Sequence, residues 1–210
     1  MKTDLLTIFT TLFRQFGPQG WWPAKTRNAK WEMCVGAILT QNTAWKNVDR
    51  VLDNLIAADV LSVEKIADMP LPRLERLIKP SGFYKQKAVR LRDFAKFVLK
   101  FGGIDKFCKN VTADELLTQR GIGPETAYSI LLYACNKPYF VIDAYTQRIF
   151  TRLGMTPEED NYEGWRLLFE SNLPKDVKLY KEYHALIVEL AKRNCLKNEE
   201  CGDCVLRKMC

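Results

Sequence analysis

Four cysteines crowd into the last sixteen residues with the spacing Cys195-x5-Cys201-x2-Cys204-x5-Cys210, among charged neighbours that include Lys197, Glu199, Glu200, Asp203, Arg207 and Lys208. A segment this polar buries too little apolar surface to order itself. Four thiolates on a short loop suit a metal centre, either a [4Fe–4S] cluster or a structural zinc, with a pair of disulfides as the third reading. The other three cysteines, Cys34, Cys108 and Cys135, lie singly in apolar stretches and read as core thiols. That usage, with no signal peptide, points to a reducing cytosol rather than a disulfide framework. Zinc sites often pair two short knuckles. Only Cys201 and Cys204 form one here, so the spacing favours iron–sulfur.

Two further segments carry chemistry. In Gly121-Ile122-Gly123-Pro124-Glu125 a helix ends, a tight turn follows and a new helix begins at Pro124, where the missing N–H costs nothing. The glycines permit left-handed dihedrals and close approach of another backbone. The N–H groups that open the second helix can hold a phosphate, aided by the helix dipole. The pattern is that of a helix-hairpin-helix, which grips DNA backbone without reading sequence; a plain connection between core helices is the bland alternative. About 20 residues downstream, Asp143 follows the apolar run Val141-Ile142 and precedes Ala144-Tyr145-Thr146. It reads either as a helix cap or as a partly desolvated carboxylate available for acid–base or electrostatic work.

The elements that would hold these residues are helices. Apolar spacing predicts helices over 3–16, 31–39, 43–57, 85–100, 124–135, 144–153 and 161–171, and another around Tyr183, Leu186, Ile187, Leu190 and Ala191. In the 85–100 helix the apolar face is Ala88, Leu91, Ala95, Val98 and Leu99. Asp4, Asp114 and Asp160 are candidate caps or first-turn acids. Gly and Pro punctuate the gaps, and Pro138 to Ile142 reads as extended with no partner strand. The fold class is therefore all-α. Lysine and arginine number 32 against 25 acids in 210 residues, a net charge of +7 that fits equally an ordinary basic surface and attraction to a polyanion. No apolar run approaches the ~20 residues of a membrane span, so no membrane partner is expected.

In this order, the hairpin, the aspartate and the four-cysteine tail make the chain resemble the endonuclease III superfamily of DNA glycosylases. The resemblance extends to Gly36-Ala37-Ile38-Leu39-Thr40-Gln41-Asn42-Thr43 and to Gly82-Phe83-Tyr84-Lys85-Gln86-Lys87-Ala88, so it covers nearly the whole chain. It implies two all-α lobes. Residues 30–137 form a six-helix barrel with the hairpin, while 1–29 and 138–210 form a lobe carrying a [4Fe–4S] cluster on Cys195, Cys201, Cys204 and Cys210. The active site is expected in the cleft between the lobes. Gln41 and Phe83 would enter the duplex and fill the gap left by a flipped nucleotide, and Gly121 to Gly123 would hold phosphate. The implied setting is cytoplasmic, on the nucleoid, as a monomer bound to double-stranded DNA containing a damaged base.

Where bifunctional members carry a lysine in the second hairpin helix, this chain has Glu125. A carboxylate cannot form the imine that strand cleavage needs. The resemblance therefore implies a monofunctional glycosylase in which Asp143 stabilises sugar charge and directs water. Trp21-Trp22-Pro23, Trp45 after the Gln-Asn-Thr loop, Pro80-Ser81-Gly82-Phe83-Tyr84 and Glu125 together resemble the bacterial 3-methyladenine DNA glycosylases of endonuclease III type. That branch implies a base pocket of Trp21, Trp22 and Trp45 with Lys192 at its side, suited to cationic N-alkylated purines. Each tryptophan alone could equally fill the core, and His184, the only histidine, reads as structural. Three departures stand out: the Cys195–Cys201 spacing is one residue shorter than the family's, Leu186 replaces a lysine of that branch, and that branch commonly lacks the four cysteines. A glycosylase for oxidised pyrimidines or mismatched bases, and a non-catalytic binder of damaged DNA, remain as alternatives.

Overall fold

Asp4 opens the first helix by accepting the Thr7 N–H at 2.7 Å, and side-chain caps of this kind recur along the chain. The computed structural model describes residues 4–196 and 201–210. Thr3, Lys197, Glu199 and Glu200 lie outside the described residues. Among the described residues the secondary structure is twelve α-helices, one 3-10 turn and one π-helical turn, without strands. The all-α class read from the periodicity is the observed one.

The chain divides into two compact units. One comprises Met1–Trp21 and Lys137–Cys210, the other Trp22–Asn136. The second unit holds eight helices among the described residues: α2 (Ala29–Leu39), α3 (Trp45–Ala57), α4 (Val63–Asp68), α5 (Leu71–Ile78), α6 (Tyr84–Lys100), α7 (Ile104–Asn110), α8 (Ala113–Leu117) and α9 (Pro124–Ser129). Helix α6 is the organiser, packing against α2, α4, α5 and α7. It buries Lys87, Ala88, Leu91, Phe94, Ala95 and Val98, whereas Leu99 lies 36 % exposed and so falls outside the face assigned to it. Phe94 stacks on Trp31 at 6.1 Å and meets Phe107 edge-on at 5.7 Å. Aromatic side chains buried this fully each stabilise the fold by roughly 1.5–3 kcal/mol. Glu32, buried on α2, accepts the Lys25 and Thr26 N–H groups and the Thr26 hydroxyl at 2.8–2.9 Å, which fixes the segment that follows Trp22.

The other unit holds α1 (Leu5–Phe16), α10 (Ala144–Arg152), α11 (Tyr162–Asn172) and α12 (Val177–Arg193). Helix α12 packs on both α1 and α10. Tyr183 at its centre donates to the Leu5 carbonyl at 2.8 Å, and Phe140, Phe150 and Phe169 pack round it. Phe140 is held by stacking on Phe169 at 4.2 Å and by its N–H bond to Glu170. The extended run Pro138 to Ile142 thus finds its partners in side chains rather than in a sheet.

Several local expectations need correction. Asp160 does not cap α11. Asn161 does, because its amide oxygen reaches the Gly164 N–H at 2.8 Å, while Asp160 accepts the Trp165 indole N–H at 2.7 Å. Asp114 sits in the first turn of α8 behind the true cap, Thr112, which forms a reciprocal capping box with Glu115. The helix expected over 124–135 changes to a π turn at Ile130–Ala134. Every residue of that turn is buried, so no solvent-facing stripe enforces the 3.6-residue period. Cys34 and Cys108 are buried as expected of core thiols, but Cys135, just beyond the π turn, is only half-buried.

Candidate active site

Asp143 is the N-cap of α10. One carboxylate oxygen accepts the Thr146 N–H at 2.7 Å and the Thr146 hydroxyl at 2.8 Å. The other faces the His184 Nε2 of α12 at 3.5 Å. Burial alone would push this carboxyl up. His184 and the two Thr146 bonds outweigh it and hold the carboxyl below its usual range. The cap reading and the reactive reading of Asp143 therefore coexist: capping uses one oxygen and leaves an ionised oxygen on the other side. Only 12 % of the side chain is exposed, which keeps its charge poorly screened.

The same unit gathers two more of the residues singled out by sequence. Trp21 lies 5.8 Å from the His184 ring, centroid to centroid, and Lys192 Nζ sits 5.7 Å from the Trp21 ring centre. Lys192 is thus placed on Trp21 through a cation–π contact. His184 neighbours both Asp143 and Trp21.

In the Trp22–Asn136 unit, Trp22 meets Trp45 edge-on at 4.9 Å and Tyr133 at 5.0 Å. Both tryptophans are half-buried and Tyr133 is buried. Tyr133, which lies in the π turn, was missed because it sits in an apolar run that reads as core. Gly36 backs the cluster, since a Cβ there would lie 3.0 Å from Trp22 and 3.4 Å from Trp45. The sequence expectation grouped Trp21 with Trp22 and Trp45; Trp21 belongs to the first unit, and Trp22 and Trp45 to the second.

The hairpin is as expected at Gly121 and different at Gly123. Gly121 has φ +80°, a conformation that favours glycine, and a Cβ there would displace the Arg90 side chain that packs against it. Gly123 has φ −89° and ψ 176°, extended backbone open to any residue, with nothing near its Cβ position. Its exposed place directly ahead of Pro124 and Glu125 leaves the start of α9 uncovered. Glu125 is an exposed first-turn acid. A surface cavity of about 390 Å³ beside the hairpin is lined by Lys85, Gln86, Val89, Arg90, Asp93 and Arg120. Its three cations outnumber its one carboxylate, electrostatics that suit a phosphate backbone.

Gln41 and Phe83 differ sharply. Phe83 is 65 % exposed on left-handed backbone, φ +45°, an unusual state for a bulky apolar residue. Gln41 is instead committed. Its amide donates to the Gly121 carbonyl and the Thr126 hydroxyl, both at 2.9 Å, and accepts from Arg90 at 3.0 Å. Nearby, Lys87 is buried on α6. Burial, and then the Arg90 charge, bring its pKa down to about 8.

All seven cysteines are free thiols. Among the described residues, no group of three His, Cys, Asp or Glu side chains is arranged to hold a single metal ion. The tail cysteines nonetheless share one electrostatic neighbourhood. Burial first, then the charges of Cys195 and Cys201, raise the Cys204 thiol, and burial followed by Cys204, Cys201 and Cys195 raises Cys210. Thiolates that disfavour one another in this way are a soft donor set that a cationic centre would stabilise. Helix α10 anchors the tail: Arg148 donates twice to the Cys195 carbonyl, and Arg152 donates to the Cys195 sulfur at 3.0 Å and the Leu196 carbonyl at 2.8 Å.

The family profile of HhH-GPD superfamily base excision DNA repair proteins matches residues 35–175. A protein of Methanocaldococcus jannaschii named as a candidate DNA repair glycosylase is 46 % identical over 209 residues, 97 % of this chain and 94 % of that one. Endonuclease III of Thermotoga maritima is 30 % identical over 84 % of this chain and 80 % of its own length. The crystal structure of the H. pylori 3-methyladenine DNA glycosylase MagIII bound to 1,N6-ethenoadenine superposes with a TM-score of 0.80 at 33 % identity. It covers 91 % of this chain and 98 % of that one.

Proposed function

Since the chain belongs to the HhH-GPD superfamily of base excision DNA repair proteins and is a DNA glycosylase of that type, we propose that it is a monofunctional enzyme that removes N-alkylated purines from duplex DNA. The observation that carries the substrate class is the edge-to-face cluster of Trp22, Trp45 and Tyr133 with Gly36 behind it. Electron-rich rings favour a cationic, electron-poor base over a neutral one. The likeness to a 3-methyladenine glycosylase at 33 % identity supports the same class.

The reaction follows from the chemistry of such a base. Alkylation leaves the purine positively charged, so it departs well once the nucleotide is flipped out of the stack. The C1′–N bond breaks with its electron pair moving to the base, and positive charge develops on the sugar. The ionised Asp143 oxygen stabilises that charge and accepts the proton of the water whose oxygen bonds to C1′. His184 and Thr146 hold the carboxylate in its charged form and in place. Glu125 stands where an imine-forming lysine would be needed.

Four cysteine sulfurs in one electrostatic neighbourhood fit a [4Fe–4S] cluster, which when bound would order the tail and takes no part in the hydrolysis. Purified anaerobically, the protein is expected to be brown, with broad absorbance near ~400 nm and about four irons per chain. A colourless preparation holding one zinc would overturn the cluster assignment.

The function is tested by chromatography of the bases released from methylated duplex DNA, with borohydride trapping in parallel. The expected result is release of alkylated purines with no covalent adduct. A trapped adduct would show that lyase chemistry survives with Glu125 in place. The second reading, a glycosylase for oxidised pyrimidines or mismatched bases, would be supported by excision from duplexes carrying those lesions alone.

A further inference from the structure

A glycosylase must unstack a base before any chemistry can begin, and a protein that does so needs a rigid wedge. Phe83 is an apolar tip, 65 % exposed, at the head of α6. Its backbone is left-handed, as is that of exposed Asn42 at φ +51° in the neighbouring loop after α2. Non-glycine residues hold such dihedrals only where the surroundings over-determine them.

Buried Lys87, 1 % exposed, is placed to do so. Its ammonium donates to the Leu39 carbonyl at 2.8 Å, the Thr43 hydroxyl at 2.6 Å and the Ser81 carbonyl at 2.7 Å. Three protons meet three acceptors, so the group is fully used. Two of those acceptors flank the Gln41 loop and the third precedes Gly82 and Phe83. The Thr43 hydroxyl closes the ring by donating to the Ser81 carbonyl. One turn along α6, Arg90 holds the Gln41 side chain itself.

Resting on the glycosylase reading, we propose that Lys87 is a positioning residue for duplex opening: its buried ammonium locks the Gln41 loop and the Phe83 loop at one fixed spacing, so that they enter the stack together as a single wedge. It touches neither the base nor the sugar. Its effect therefore falls on the step that opens a paired site and spares a site already open.

The test compares Lys87→Met and Thr43→Val with the parent protein in single-turnover excision of an N-alkylated purine on two duplexes. One has the lesion paired; the other has it opposite a one-nucleotide gap. Fluorescence of 2-aminopurine beside the lesion reports unstacking. Lys87→Met is expected to slow excision and unstacking on the paired duplex by roughly 10–100-fold, the scale of an ångström-level misplacement, and to leave the gapped duplex within about threefold. Lys87→Met is also expected to add little to Phe83→Ala on the paired duplex, because both act through one wedge. Equal losses on both duplexes, or none on either, would overturn the proposal. Should Lys87→Met fail to fold by thermal unfolding, Thr43→Val takes its place. It removes one acceptor and the Thr43–Ser81 bond, and the same pattern of losses on the two duplexes supports or overturns the proposal. An inactive parent protein on both duplexes would instead count against the alkylpurine reading.

Discussion

Asp143→Asn is expected to lower base release by about 10²–10⁴-fold, the range for loss of a positioned acid–base group, while lesion-containing duplex binds as before. The substitution separates the two tasks of this residue. Asparagine is as good an N-cap as aspartate, and its side-chain oxygen can still accept the Thr146 N–H, so α10 keeps its start. What goes is the charge. A non-catalytic binder would be indifferent to the change, so retained base release would remove Asp143 from the mechanism, and unchanged damage recognition without any base release by the parent would favour a binding role. The pH dependence follows from the lowered carboxyl. A folded-state pKa below the unfolded value of ~3.9 contributes stability that is present above that value and lost as pH falls through the folded pKa. The parent should therefore keep an ionised Asp143 across neutral and mildly acidic pH, and Asp143→Asn should be stabler relative to the parent in strong acid than at pH 7. Activity-independent thermal unfolding across pH measures this directly.

Trp45→Ala carries the next largest effect. Base–aromatic stacking is worth about 1–3 kcal/mol per base, which at 1.4 kcal/mol per decade is roughly 5–150-fold in excision of an alkylated purine. The Trp22–Trp45 edge contact adds a stability loss of about 0.5–1.5 kcal/mol. Undamaged duplex should bind unchanged, because the hairpin and the basic cavity beside it use other residues. Parallel assays on alkylated and oxidised duplexes decide the meaning. A loss confined to alkylated purines assigns Trp45 to recognition of the cationic base. A loss of the same size on every substrate assigns it to support of the fold.

The legible part of this molecule was the part written in local sequence. Long amphipathic stretches placed α1, α3 and α6 to within about two residues and located the second half of α12, whose first turns from Val177 were not bounded, and Gly121 announced its turn through a conformation that only glycine takes comfortably. Helices α4, α5 and α7 went unread because six to eight residues span too few turns to show a period, and the helix expected to end at Gly121 stops at Leu117. Lys87 was invisible for a different reason. A lysine on an amphipathic helix reads as solvent-facing, and its acceptors at Leu39, Thr43 and Ser81 come from other segments. Gln41 was read from its loop, yet its partners at Arg90, Gly121 and Thr126 are set by tertiary packing. Tyr133 went unread because every residue of the turn it lies in is buried, so the run shows no face.

Helix α10 begins at the Asp143 cap and carries, at its middle and its end, Arg148 and Arg152, which grip residues 195 and 196. The carboxylate and the start of the cysteine tail are therefore mounted on one short rigid rod, so whatever loosens residues 195 and 196 is felt along the helix that holds Asp143.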